Sequence, residues 1–154
     1  MNILRFVLIS ILAFSVGAGA DVSKKPVRLN ELPAAVRRTV ERQKGVANIL
    51  RLEKFEREGS KMYELELSSG GSASKTVLID AAGKIVEIKE PIELSAVSKA
   101  AKAVIDSSVG NGTIMALESV KTASGIISAY EVRFRREGKE SLLRIGPDGS
   151  LVQE

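Results

Sequence analysis

Apolar positions along this chain follow two periods that succeed each other in a fixed order. Between Asn30 and Gly45, Leu32, Val36 and Val40 recur every four residues, while Arg37, Arg38, Glu41 and Arg42 lie mostly off that stripe. The spacing predicts an amphipathic helix with Asn30 as N-cap, Pro33 in its first turn and Gly45 as its stop. The period then shortens to two. "NILRLEKFERE" (48–58) reads as a long mixed strand; in "KMYELELSS", Tyr63, Leu65 and Leu67 face one way, Glu64 and Glu66 the other. A Gly/Ser turn leads to a strand centred on Val77 and Ile79, and a turn at Gly83 leads to another carrying Ile85, Val86 and Ile88. Short strands joined by turns read as an antiparallel meander.

After Pro91 the order starts again. "IELSAVSKAAKAVIDSSVGNG" is helical, with Val97, Ala101, Val104 and Ile105 on one face and Gly110 near its end. "IMALESV" (114–120) repeats the apolar spacing of "ILRLEKF" (49–55), and Tyr130, Val132 and Phe134 alternate as in "MYELEL". "RIGPDGSLVQ" echoes "LIDAAGKIVE" 66 positions earlier. An ordered series of helix, spaced strand, Tyr-Glu strand and Gly-turn hairpin, offset by about 65 to 67 positions, predicts internal duplication. The expected fold class is α+β: two tandem units, each a helix followed by an antiparallel meander of three or four strands, in a sheet with helices on one face. The units are read as 30–90 and 91–154, after a flexible leader at 21–29.

The N-terminus has a different character. Arg5, the apolar run Phe6 to Val16, and small residues at Ala18 and Ala20 form a signal peptide at 1–20. The run is shorter than the ~20 residues a resident membrane helix needs, so membrane contact is expected only through this transient segment. No cysteine follows that could carry a lipid. Export to the periplasm or exterior is expected.

Composition narrows the chemistry. The chain has 23 basic and 19 acidic residues; without Arg5 the count is 22 against 19, a net charge of +3. Acids interleave with the basic residues, so no nucleic-acid footprint is formed. With no His and no Cys, a Ser–His–Asp triad and a zinc site are excluded. No disulfide can staple the fold, so a core must hold it. A unit of about 60 residues is marginal alone and twice that length is comfortable.

On these residues the chain resembles the PepSY and PepSY-like domains of bacterial envelope and secreted proteins. The resemblance is carried by "LPAAVRRTVERQKG", "ILRLEKFEREGSKMYELEL" and "TVLIDAAGKIVEIKE". It is close over 30–90 and looser over 92–154, where Gly146 stands in place of Asp80. A tandem of such units is also similar in architecture to the β-lactamase inhibitory protein, whose two repeats form one continuous sheet. The family's motifs are structural, and its members occur in peptidase propeptides and as free-standing periplasmic proteins. The resemblance therefore implies a fold and a theme of binding, with no catalytic residue.

The remaining chemistry is weighed residue by residue. Asp80 and Asp148 lie at Gly turns and lack the repeated acidic spacing of a calcium loop, so they read as turn residues. "NGT" (111–113) reads as a helix-ending turn. Outward strand positions carry Glu64 and Glu66 in the first half and Arg133 and Arg135 in the second. These four are the candidate partner-binding residues, on a face that is otherwise the solvated side of an antiparallel sheet. The expectation is a non-catalytic protein-binding module without cofactor or metal, whose partner is an envelope or secreted protein such as a peptidase that it inhibits or regulates. The rival is a periplasmic small-ligand-binding or sensor protein, which a cavity of several hundred Å³ between helices and sheet would favour.

Overall fold

A computed structural model describes residues 23–68, 70 and 74–152. The span 1–20, read from sequence as a signal peptide, and most of the expected Gly/Ser turn lie outside the described residues. The architecture is α+β, with one open eight-stranded antiparallel sheet and two helices. The elements run β1 (Lys25–Pro26), α1 (Ala34–Lys44), β2 (Asn48–Arg57), β3 (Ser60–Ser68), β4 (Ser74–Asp80), β5 (Ile85–Pro91), α2 (Lys99–Val109), β6 (Thr113–Lys121), β7 (Ile127–Arg136) and β8 (Lys139–Ile145). Spatial order equals chain order, so every strand pairs with its sequence neighbour.

The period-two residues divide between the faces. Tyr63, Leu65 and Leu67 pack with Leu52, Val77 and Ile79 against Val36 and Val40 of α1. Tyr130, Val132 and Phe134 pack with Leu117 and Ile145 against Ala101, Ile105 and Val109 of α2. Each fully buried Leu or Ile contributes about 1.5–3 kcal/mol, so these two clusters supply the core that a chain without disulfides requires. A small third cluster, Phe55, Met62 and Leu78, lies on the opposite face, which neither helix covers.

Three boundaries differ from the sequence pattern. Helix α1 begins at Ala34, with Pro33 as N-cap, while Asn30 sits in a separate 3₁₀ turn, Leu29–Glu31. The cause is Pro33, which disfavours helical backbone at the residue before it; Leu32 is extended, at φ −75° and ψ 144°. Within the span read as a leader, Lys25–Pro26 pairs with β2 and Val27 is buried, its N–H donating to the Leu52 carbonyl at 3.0 Å. At the far end, among the described residues, the expected closing hairpin of 139–154 returns as an isolated Ile145–Leu151 bridge flanked by the Gly146 N–H to Ser150 carbonyl and Val152 N–H to Arg144 carbonyl bonds, at 2.8 and 3.0 Å, with no regular strand after β8. Strand β5 is held on both sides, by β4 and β6, whereas the segment after β8 has a strand on one side only.

Helix and hairpin are joined by a contact the apolar pattern does not reveal. Thr39, on the buried face of α1, donates its hydroxyl to the Gly83 carbonyl at 2.6 Å. Gly83 has φ +80°, and a Cβ there would stand 2.6 Å from the Ala35 backbone. Gly59, at φ +75°, has open space around the same position.

Gly83→Ala therefore combines backbone strain with a clash against α1, and is expected to cost about 3 kcal/mol. Gly59→Ala carries the strain alone and is expected to cost about 1 kcal/mol. Urea denaturation of the two variants checks this ordering.

The uncovered sheet face as a candidate functional site

Alternation that buries one side of each strand leaves charged side chains on the other, and strand register decides which of them meet. Glu53 lies directly opposite Glu64, and Glu118 directly opposite Glu131. Like charges so placed repel, and each pair recruits a lysine from the next strand or its lead-in. Lys24 binds Glu64 at 2.7 Å and lies 5.4 Å from the centre of the Phe55 ring; Lys89 binds Glu131 at 2.8 Å.

Around Glu131 the charges form a network. Arg144 contacts Glu131 at 3.1 Å through one terminal nitrogen and Glu87 at 2.5 Å through the other. The side chains of Glu131 and Arg144 are only 7% and 13% exposed, although no helix covers this face. Glu87 belongs to β5 and Arg144 to β8, three strand spacings apart, or about 14 Å on a flat sheet. Their long side chains reach across the two intervening strands on this face. β-Bulges at Ile49/Arg51, Leu78/Ile79, Ile114/Ala116 and Val120/Lys121 add local bends and twist to the strands. Beneath the network, Val120 and Ala129 pair across β6 and β7 on the same face and are buried. Two carboxylate oxygens, Glu53 Oε2 and Glu87 Oε2, are buried without a donor among the described residues.

The four residues singled out from sequence all project from this face. Glu64 and Glu66 stand on β3 and Arg133 and Arg135 on β7, four strands away, so the fold does not gather them into one cluster. Three are already matched: Glu64 by Lys24, Glu66 by Arg51 at 3.1 Å, and Arg135 by Glu140 at 2.5 Å. The simple opposition of an acidic half and a basic half is therefore locally neutralised. Arg133 alone of the four forms no ion pair among the described residues; it faces Ala116 on one side and Leu142 on the other, and Leu142 is 47% exposed. The Glu87–Arg144 pair is 57 positions apart in sequence. Only knowledge of strand order and register would have found it.

Both turn aspartates are occupied locally. Asp80 Oδ1 accepts the N–H groups of Ala82 and Lys84, each at 2.9 Å. Asp148 Oδ1 accepts the Ser150 hydroxyl at 2.6 Å and its N–H at 3.0 Å, which hold its carboxyl below the usual carboxylate range. A Cβ at Gly146 would stand 2.7 Å from that oxygen, so the exchange of Asp80 for Gly146 reflects a carboxylate reaching in from two residues further on. Among the described residues, no group of three or more acidic side chains is placed to hold a metal, and no helix is long and apolar enough to cross a membrane.

No protein-family model matches the chain, and no curated protein matches it in sequence. Solved structures match in fold. A protein from Bacteroides eggerthii, provisionally described as periplasmic, has a TM-score of 0.61 at 11% identity, over 79% of this chain and 86% of that one. A DUF2874 family protein from Bacteroides ovatus has a TM-score of 0.58 at 16% identity, over 79% and 85%. A protein described as BLIP-like, from Bacteroides fragilis, has a TM-score of 0.54 at 14% identity, over 79% and 84%. At these identities the likeness is one of fold.

Removing one partner from a buried ionic network leaves the others uncompensated. Glu131→Gln is therefore expected to lower stability by about 3 kcal/mol, and Arg133→Gln by less than about 0.5 kcal/mol, as for an unencumbered surface position. Chemical denaturation of both variants at neutral pH separates the two roles.

Proposed function

We propose that this is an exported, non-catalytic protein-binding module, built of two tandem PepSY-like units, that seats an envelope or secreted protein on its uncovered sheet face and regulates or inhibits it. The observation that carries the reading is the exposed Arg133–Leu142 pair on an uncovered face. A charge without an ion pair beside an exposed aliphatic side chain is how a recognition surface differs from a merely solvated one. Export is supported by the signal-peptide pattern and by the periplasmic description of the Bacteroides eggerthii protein. The inhibitory reading draws on the PepSY resemblance and the BLIP-like fold neighbour.

The tandem reading is supported by side chains that recur on the uncovered face. Lys24 and Lys89, Pro26 and Pro91, and Glu53 and Glu118 are each 65 positions apart, and Glu64 and Glu131 are 67 apart. Pro26 lies opposite Glu53 as Pro91 lies opposite Glu118. The N–H donors just after them repeat as well: Val27 to Leu52 at 3.0 Å, Ile92 to Leu117 at 3.1 Å. On this reading the first unit starts at Lys24 and includes the segment before α1.

Immobilised protein without the signal segment is expected to capture a specific envelope protein from its own host. The combined change Arg133→Glu and Leu142→Asp is expected to weaken that capture at least about ten-fold without altering the melting temperature. Arg38→Glu, on the exposed side of α1, is expected to leave it unchanged. The reading fails if the double variant captures the same protein as strongly, or if nothing is captured and no host peptidase is inhibited.

A further inference from the structure

On the helix-bearing side of the sheet, a groove of about 840 Å³ opens between β1–β3 and the lead-in to α1. Its walls include Lys25, Lys54 and Lys61, with Tyr63 and Pro33. Lys25 and Lys54 are directly opposite in register, and Tyr63 is the next residue across. None of the three lysines forms an ion pair among the described residues, and like charges so placed repel. Glu31 and Glu56 also line the groove. One oxygen of Glu31 is taken by the Arg28 N–H at 2.7 Å, and no ion pair joins Glu56 to Lys61 opposite it. The local balance remains positive.

Tyr63 is 5% exposed, and its hydroxyl, which is not among the buried unpaired polar atoms, makes no hydrogen bond among the described residues and opens on the groove. A buried tyrosine ordinarily finds one. Tyr130 does: it is 3% exposed and its oxygen accepts the Ser98 N–H at 3.3 Å. Sixty-five positions before Ser98 stands Pro33, which has no N–H to give. The same offset carries Lys25 to Glu90, Glu56 to Lys121 and Lys54 to Ser119. Glu90 and Lys121 are ion-paired to each other, and the Ser119 hydroxyl donates to the Glu90 carbonyl at 3.3 Å. Around Tyr130 the polar groups are matched from within, whereas around Tyr63 the hydroxyl and three ammonium groups are left to an outside acceptor.

We propose that this groove binds a carboxylate, with the Tyr63 hydroxyl donating to one oxygen and the Lys54 and Lys25 ammonium groups flanking the charge. A phenol and ammonium groups supply donors, and an ionised carboxylate is purely an acceptor. The volume suits a small organic acid or the last residues of a peptide chain. Arg133 and Leu142 of the uncovered face are not among the residues that line this groove, so the two surfaces can be tested separately.

The test is an NMR titration of the chain lacking only residues 1–20, with four probes: succinate, acetyl-trialanine with a free C-terminus, the same peptide as its amide, and inorganic phosphate. Succinate or the free-acid peptide is expected to shift amide resonances around Lys25, Lys54 and Tyr63. Response to succinate alone identifies a free small acid, response to the peptide acid alone a chain terminus, and response to both the carboxylate class itself. Tyr63→Phe keeps the buried ring and is expected to weaken binding about ten-fold, the loss of one hydrogen bond to a charged group; Lys54→Gln is expected to act in the same direction. Tyr130→Phe and the Arg133→Glu, Leu142→Asp pair are expected to leave the titration unchanged, which separates this site from the Arg133–Leu142 surface. The proposal is overturned if neither acid shifts these resonances, if the amide or phosphate binds as tightly as the acids, or if Tyr63→Phe binds like the unaltered chain.

Discussion

The structure depends on one join. Ile88–Pro91 of β5 pairs with Glu118–Lys121 of β6, and this short ladder makes one eight-stranded sheet out of strands that belong to two helices. Each helix covers only its own cluster, around Leu65 and Ile79 for α1 and around Val132 and Ile145 for α2. A half-chain of about 60 residues has little surplus stability. Pairing across β5 and β6 lets both halves share a continuous hydrogen-bonded sheet. It also commits both helices to the same side.

That commitment leaves the other side to bury its own residues. It does so with charges in place of a third layer. Val120 and Ala129 are buried on the uncovered face, where Lys89, Glu131, Arg144 and Glu87 are linked side chain to side chain. A buried ionic network gains little net stability over an apolar equivalent, but it demands a particular geometry. The Glu87–Arg144 contact links β5 to β8 across two intervening strands, and Arg144 also binds Glu131 of β7. The network thus ties remote strands together on the face that no helix covers.

The helix-bearing side shows how similar strands come to differ chemically. Tyr63 and Tyr130 occupy matching alternation patterns, and both are buried. A serine before α2 supplies an N–H and a hydroxyl cap, its oxygen accepting from Ala101. A proline before α1 supplies neither. One substitution type at a helix start therefore separates a tyrosine held inside the fold from one whose hydroxyl faces a basic groove.

Much of the architecture was legible in the sequence because it rests on local periodicity. Leu32, Val36 and Val40 at helical spacing, and Tyr63, Leu65 and Leu67 at strand spacing, announce which residues face inward without any knowledge of their partners. Local steric rules also explain why α1 starts after Pro33, even though the cap-like Asn30 points three residues too early. The outward placement of Glu64, Glu66, Arg133 and Arg135 followed from the same alternation, but the neutralisation of Glu64 by Lys24, of Glu66 by Arg51 and of Arg135 by Glu140 did not. Ion pairs depend on cross-strand register and on side chains arriving from other strands or from the lead-in to β1. The sequence by itself determined the elements and their inward faces, since both follow from the chain's short-range geometry. Only the tertiary structure decided that the sheet is continuous, that Arg144 reaches Glu87, and that Tyr63 opens onto lysines. Each of these requires distances between residues that are remote in sequence.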